Sequence, residues 1–334
     1  MTAVVDAHAH VIVPEVTREA APAEAWRPRV WRDGEQRVFE VGGREVRSAV
    51  REWSRLERIL ADQDAAGTDV VVLSPLVLLL SYDAEAGEGL RRCRIQNDGL
   101  ARMVRDGAGR VAALGAVPLQ DPRLAAAELR ELMGAGILSG VEIAASVDGR
   151  FLGDDAFEPF WAAAADTGAL VFVHPTTRGF AAPVFEEHYL WNAVGNPLET
   201  TISAAHLVMT GTMERHPGLN ILLAHGGGTI LALRGRLRHA HSFQPQARSR
   251  LRESPDESLR RFLYDTVVHD PGLLASVVEA VGADRVLCGS DHPFDMGDLR
   301  PADTVRAAGL SPADEAAVLG GNAARLLGLE VAAR

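Results

Sequence analysis

Cysteine is nearly absent from this chain, with only Cys93 and Cys288 among 334 residues. Neither stands in a Cys-x-x-Cys pair, and Cys288 lies in an apolar run, so neither a disulfide scaffold nor a thiolate zinc site is expected. A reducing, cytoplasmic location fits that usage. Basic charge is in the minority, 34 Lys and Arg against 45 Asp and Glu, for a net charge of -11. Such a balance speaks against nucleic acid and anionic membrane as partners. Long hydrophobic runs are missing too. The longest, residues 70–80, is interrupted by Ser74 and Pro75 and is too short to span a bilayer. The opening MTAVVDAHAH has no basic start and no long apolar stretch, so no signal peptide is expected. No Gly-x-Gly-x-x-Gly follows the first apolar run, which weakens a dinucleotide-binding reading. Internal repeats and low-complexity tracts are also absent.

What the chain does have is core material, 47% apolar residues against 24% charged. Eight short apolar runs, rich in β-branched residues and bounded by turn signals, read as buried parallel strands: 4–7, 69–73, 111–117, 140–143, 170–173, 220–224, 262–268 and 285–289. Alanine- and leucine-rich segments of helical period, such as 122–133 and 155–165, lie between them. The pattern predicts an α/β fold, a TIM-type (β/α)8 barrel formed by residues 1–334 as one domain. An open doubly wound sheet is the alternative. Residues 11–50 interrupt the alternation and are expected to form a small lid inserted after the first strand. Within it, 37–46 reads as a β-hairpin turning at Gly42-Gly43. A second long loop, 176–198, carries Phe180, Phe185, Tyr189 and Trp191 and is expected to wall a pocket, while 242–255 reads as a solvated loop.

The polar residues that matter stand just after apolar runs. His8 and His10 end the first strand, and positions i and i+2 of a strand share a face. His174 ends the fifth strand, His225 the sixth and Asp291 the eighth. The C-terminal strand ends of such a barrel converge on one mouth, where its active sites lie. Three imidazoles and a carboxylate suit Zn²⁺ or another divalent ion such as Mn²⁺, which would polarise a water. No organic cofactor is required. A single histidine at a strand end is more often a hydrogen-bonded structural residue; the expectation of a metal site rests on all four positions together. His225, followed by three glycines, is either a further ligand or an acid/base.

These residues carry a resemblance. Asp-Ala-His-Ala-His at 6–10, Phe-Val-His-Pro at 172–175, Asn-Pro-Leu-Glu-Thr-Thr at 196–201, Ala-His-Gly-Gly-Gly at 224–228, Tyr-Asp-Thr-Val-Val-His-Asp at 264–270 and Gly-Ser-Asp-His-Pro-Phe at 289–294 are similar to the amidohydrolase-related decarboxylases. The match runs over nearly the whole chain. The intact His8/His10 pair favours the branch acting on 2-amino-3-carboxymuconate 6-semialdehyde, because related hydroxybenzoate decarboxylases more often have a glutamate at the first position. The resemblance implies His8, His10, His174 and Asp291 as zinc ligands and His225 as the acid/base, with Asp291 also helping to orient a water. It implies Arg47 and Arg236 as grips for substrate carboxylates, Arg236 reaching in from the partner of a homodimer, and Phe294 as a pocket wall. Trp191 stands one position before its expected place, which holds Asn192; His292 replaces an aromatic residue, and segment 76–92 differs. The implied reaction is non-oxidative decarboxylation of a small unsaturated or aromatic carboxylate. A metal-dependent hydrolase or hydratase of a similar acid is the alternative. A non-catalytic binding protein would be expected to have lost one of the five site residues, and all are present.

Overall fold

The runs of valine, leucine and isoleucine become strands buried on both faces, which is why they read as continuous rather than alternating. The computed structural model describes residues 2–21, 24–34, 36–41 and 43–330. Its eight parallel strands are β1 (Val5–Val11), β2 (Val70–Pro75), β3 (Val111–Ala113), β4 (Gly140–Ala144), β5 (Leu170–His174), β6 (Asn220–Leu223), β7 (Leu263–Asp265) and β8 (Val286–Leu287). The ladders run β1-β2-β3 and β4-β5-β6-β7-β8. Isolated parallel bridges, Gly115 to Val141 and Ala9 to His292, link the ends of the two ladders. The fold is therefore α/β with all eight expected strands present.

Four strands, β3, β6, β7 and β8, are shorter than expected, β6 by a single residue. The pairing of 262–268 stops at Asp265 because side chains take over the backbone groups there. The Asp265 carboxylate accepts the N–H of His225, Gly226 and Val267. Thr266 Oγ1 accepts the N–H of Gly289 at 3.0 Å, ending the β7–β8 ladder as well. Strand β3 stops at Ala113, and the chain then bonds outward through Gly115 N–H to Gly140 O.

One face of the strands packs into a shared apolar core that includes Val5, Val72, Ala112, Phe172, Leu222, Leu263 and Leu287. The other face meets helices. The expected helix at 122–133 extends to Ala135; Asp121 caps its N–H groups and Gly136 closes it at φ +68°. Residues 155–165 divide into a 3-10 turn, Asp155–Phe157, and a helix, Glu158–Thr167. The loop after β5 ends earlier than 198, because a π-helical turn, Trp191–Gly195, feeds the helix Asn196–Met209. Similarly, the helix Ile230–Phe243 takes the first residues of 242–255, and Ser254 caps a helix that starts at Pro255.

The insertion after β1 holds one strand more than the expected hairpin. Arg29–Asp33, Gln36–Val41 and Arg44–Ala49 form an antiparallel sheet, pairing Val30 with Phe39 and Phe39 with Val46. Gly42 of the expected turn lies outside the described residues; Gly43 has φ +74°. Phe39 anchors this sheet, packing edge-on against Trp53 at 4.9 Å, in one cluster with Val11 and Leu76 from β1 and the end of β2. Among the described residues, no helix is long and apolar enough to cross a membrane.

Candidate metal centre and cavity

Because Ala9 faces away, His8 and His10 project from the same side of β1, and both are fully buried. Their Nε2 atoms lie 3.1 Å apart. Asp291, which follows β8, places Oδ1 3.2 Å from His8 Nε2 and 3.3 Å from His10 Nε2. Its Oδ2 lies 3.5 Å from His225 Nε2. The His174 ring, at the end of β5, stands 5.2 Å from His8, 4.7 Å from His10 and 5.2 Å from His225. The structure thus brings together all five residues singled out in the sequence.

Hydrogen bonding fixes which ring nitrogens face inward. His8 Nδ1 donates to Asp265 Oδ2 at 2.6 Å, and His174 Nδ1 donates to the Pro175 carbonyl at 2.9 Å. His10 Nδ1 points to the Pro75 carbonyl at 3.4 Å and to Glu142 Oε2 at 3.6 Å. Each imidazole therefore turns its Nε2 lone pair toward the common centre. Among the described residues His174 Nε2 is buried there without a hydrogen-bond partner, and Asp291 Oδ1 faces only the ring nitrogens of His8 and His10. Unpartnered acceptors cost free energy unless something binds them, and an N/O set of this kind fits a divalent cation. The ligand atoms of His8, His174, His225 and Asp291 fall within 4.8 Å of one another, as do those of His10, Glu142 and His174.

The carboxylates around the cluster set its electrostatics, so that protons and a divalent cation compete for the same inward-facing ring nitrogens. Burial disfavours a charged His8, but Asp291 and Asp265 outweigh it and push its pKa up to about 10. Burial likewise opposes a charged His10, and Glu142 and Asp291 raise it to about 9. His174 goes the other way, held well below the usual histidine range by burial and then by His10, His225 and His8. Asp291 is held well below the carboxylate range by the surrounding imidazoles, despite its burial.

Above this cluster opens a cavity of about 340 Å³. His174, His225 and Asp291 form its floor; Phe39, Arg44 and Arg47 come from the antiparallel sheet, and Arg178, Tyr189 and Trp191 from the segment after β5. Phe294 and Asn192 complete the wall, and the Phe294 ring lies 5.7 Å from His10. Arg47 reaches the cavity with its guanidinium engaged, by Asp33 at 2.6 Å and by Glu45. Arg236 does not line it. It sits on the exposed face of Ile230–Phe243.

Sequence reading missed two buried carboxylates. Asp265 lies within a quoted motif but received no role. Glu142, fully buried with neither carboxylate oxygen hydrogen-bonded, was signalled by a charge inside the apolar run 140–143.

The family model described as Amidohydrolase matches residues 5–329. The 2-amino-3-carboxymuconate-6-semialdehyde decarboxylase of Dictyostelium discoideum is 30% identical over 264 residues, covering 78% of this chain and 73% of that protein. The gamma-resorcylate decarboxylase of Rhodococcus jostii (strain RHA1) is 28% identical over 301 residues, covering 83% and 91%. Among solved structures, a dihydroxybenzoic acid decarboxylase from Polaromonas sp. JS666, with bound manganese and the inhibitor 2-nitroresorcinol, superposes with a TM-score of 0.80 at 20% identity, covering 99% and 98%. The chain belongs to the amidohydrolase family.

Proposed function

We propose that this chain is a divalent-metal-dependent carboxy-lyase, removing CO₂ non-oxidatively from a small unsaturated or aromatic carboxylate. The first substrate to test is 2-amino-3-carboxymuconate 6-semialdehyde or a close analogue, the substrate named for the Dictyostelium relative. The observation that carries the reading is the convergence of three inward-facing Nε2 atoms and the Asp291 carboxylate beneath a cavity with arginines in its walls. The two linking bridges support a closed (β/α)8 barrel. On this reading residues 1–334 form one domain, 11–50 are its lid, and the working location is a reducing cytoplasm.

His8, His10, His174 and Asp291 hold the ion, Zn²⁺ or Mn²⁺, the latter being the metal in the Polaromonas neighbour. When bound, the cation supplies Lewis-acid polarisation to water or to a substrate oxygen. His225 manages the proton. Its backbone is held at φ +57° by the Asp265 carboxylate, and its Nε2 faces Asp291. Breakage of the carbon–carboxylate bond leaves an electron pair on carbon, and His225 delivers the proton that takes the place of CO₂. Asp291 orients the water, and Phe294 and Trp191 wall the substrate. Arg47, exchanging Asp33 and Glu45 for the substrate, and the partner subunit's Arg236 position the departing carboxylate within a homodimer.

Purified protein loaded with zinc or manganese is tested against aminocarboxymuconate semialdehyde and hydroxybenzoates with a CO₂ readout. Stoichiometric CO₂ from one of these acids is the expected result. Conversion of substrate without CO₂ would instead establish a hydrolase or hydratase.

A further inference from the structure

Most arginines of this chain that reach a carboxylate use it, including Arg47 in the cavity wall. Arg178 differs. It lines the cavity half-buried, and among the described residues it has no hydrogen bond or ion pair; its Nε is buried without a partner. Its guanidinium lies 3.7 Å over the ring of Trp191, which fixes its plane and leaves the fork free. Nearby Asp295 accepts the Tyr189 hydroxyl at 3.1 Å instead of pairing with Arg178. Arg44, also on the cavity and also without an acidic partner among the described residues, is close enough to repel it. Burial, and then this neighbour, pull the Arg178 pKa down.

The backbone holds Arg178 in place. The buried Glu199 carboxylate accepts the N–H of Thr176 at 3.1 Å and the N–H and hydroxyl of Thr177 at 2.8 and 2.7 Å. Arg178 itself sits at φ +57°, a conformation unfavourable for a side chain of its size. Gly179 packs against the start of the next helix so closely that a Cβ on Gly195 would stand 2.8 Å from its Cα. Two like charges held without counter-ions in an acidic protein make a receptor for an anion.

We propose that Arg178, with Arg44 beside it, binds an anionic group of the substrate other than the carboxylate that departs, so that the site selects dianionic acids over monoanionic ones. This rests on the decarboxylase reading above and narrows its substrate class.

The test uses isophthalate and benzoate as binding probes on the metal-loaded chain, with Kd measured by calorimetry. The wild-type chain binds isophthalate at least about tenfold more tightly than benzoate, the worth of one charge-assisted contact. Arg178→Gln lowers that preference to about twofold or less with metal content unchanged. Arg44→Gln, at an exposed position that does not threaten folding, lowers it by about threefold. Equal affinity for the two acids, absence of isophthalate binding, or a preference unmoved by both substitutions overturns the proposal. Because binding is read rather than turnover, a failure to release CO₂ would sink the proposed reaction without touching this result.

Discussion

His8 and Asp265 are joined through a 2.6 Å hydrogen bond between two fully buried groups 257 residues apart. The same carboxylate accepts the backbone N–H of His225 at 2.9 Å and of Gly226 at 2.7 Å. One anion thus sets the tautomer of an inward-facing imidazole and the backbone of the proposed acid/base. Asp265→Asn keeps the shape but loses the charge that favours an Nδ1–H on His8. Removing such a partner of a ligating histidine costs about 10–100-fold in metal affinity. A chelator competition titration on wild type and variant checks this; equal affinities would remove Asp265 from the account.

His225 raises a sharper question, because its ligand atom lies within 4.8 Å of those of His8, His174 and Asp291. As an acid/base it is needed for turnover and not for metal retention. His225→Ala therefore keeps its metal and loses about 10²–10⁴-fold in kcat, the usual worth of a positioned proton donor. Metal analysis beside the activity assay separates the two roles. Loss of metal from His225→Ala would make His225 a ligand.

The strands and the five site residues were legible because each depends on a local signal, a β-branched run with a polar residue beside it, although β1 runs on to Val11 and so holds His8 and His10 within it rather than after its end. The first strand of the antiparallel sheet was not, since Arg29–Asp33 is largely exposed and its pairing rests on Phe39 across the sheet. Glu142 and Asp265 were equally hard to assign. Their importance comes from what they face, His10 and His8, and that is decided by how strands distant in sequence pack.

The two thiols offer a check on the fold that is independent of chemistry at the metal centre. Cys93 and Cys288 are free and fully buried. Burial pushes the Cys93 thiol up to about 12 and raises Cys288 as well. The thiolate is the form that reacts, so neither residue alkylates with iodoacetamide in the native protein near pH 8. Both react once guanidinium unfolds the chain. Intact-mass analysis counts the adducts, and rapid native labelling of either cysteine would contradict its placement in the core.

Glu52 ties the end of the insertion to the rest of the molecule. Its Oε1 accepts the N–H of Trp53 and of Ser54, each at 3.2 Å, and its Oε2 accepts Arg55 Nη2 at 2.8 Å, with Arg37 Nε at 3.6 Å. Burial would raise its pKa from the ordinary 4.5, but Arg55, the backbone N–H of Ser54 and Arg37 outweigh burial and lower it. A folded-state value below the unfolded one means that the charged form stabilises the native state. That contribution is complete above the unfolded value and is lost as pH falls through the folded one. Glu52→Gln is therefore less stable than wild type by about 1–2 kcal/mol near pH 7, the scale of hydrogen bonds to a charged group. The gap persists to about pH 5 and closes below the folded pKa, where wild type carries a neutral acid as well. Urea unfolding of both proteins between about pH 7 and pH 3 measures it. A gap that stayed constant over that range would mean that shape rather than charge holds the segment.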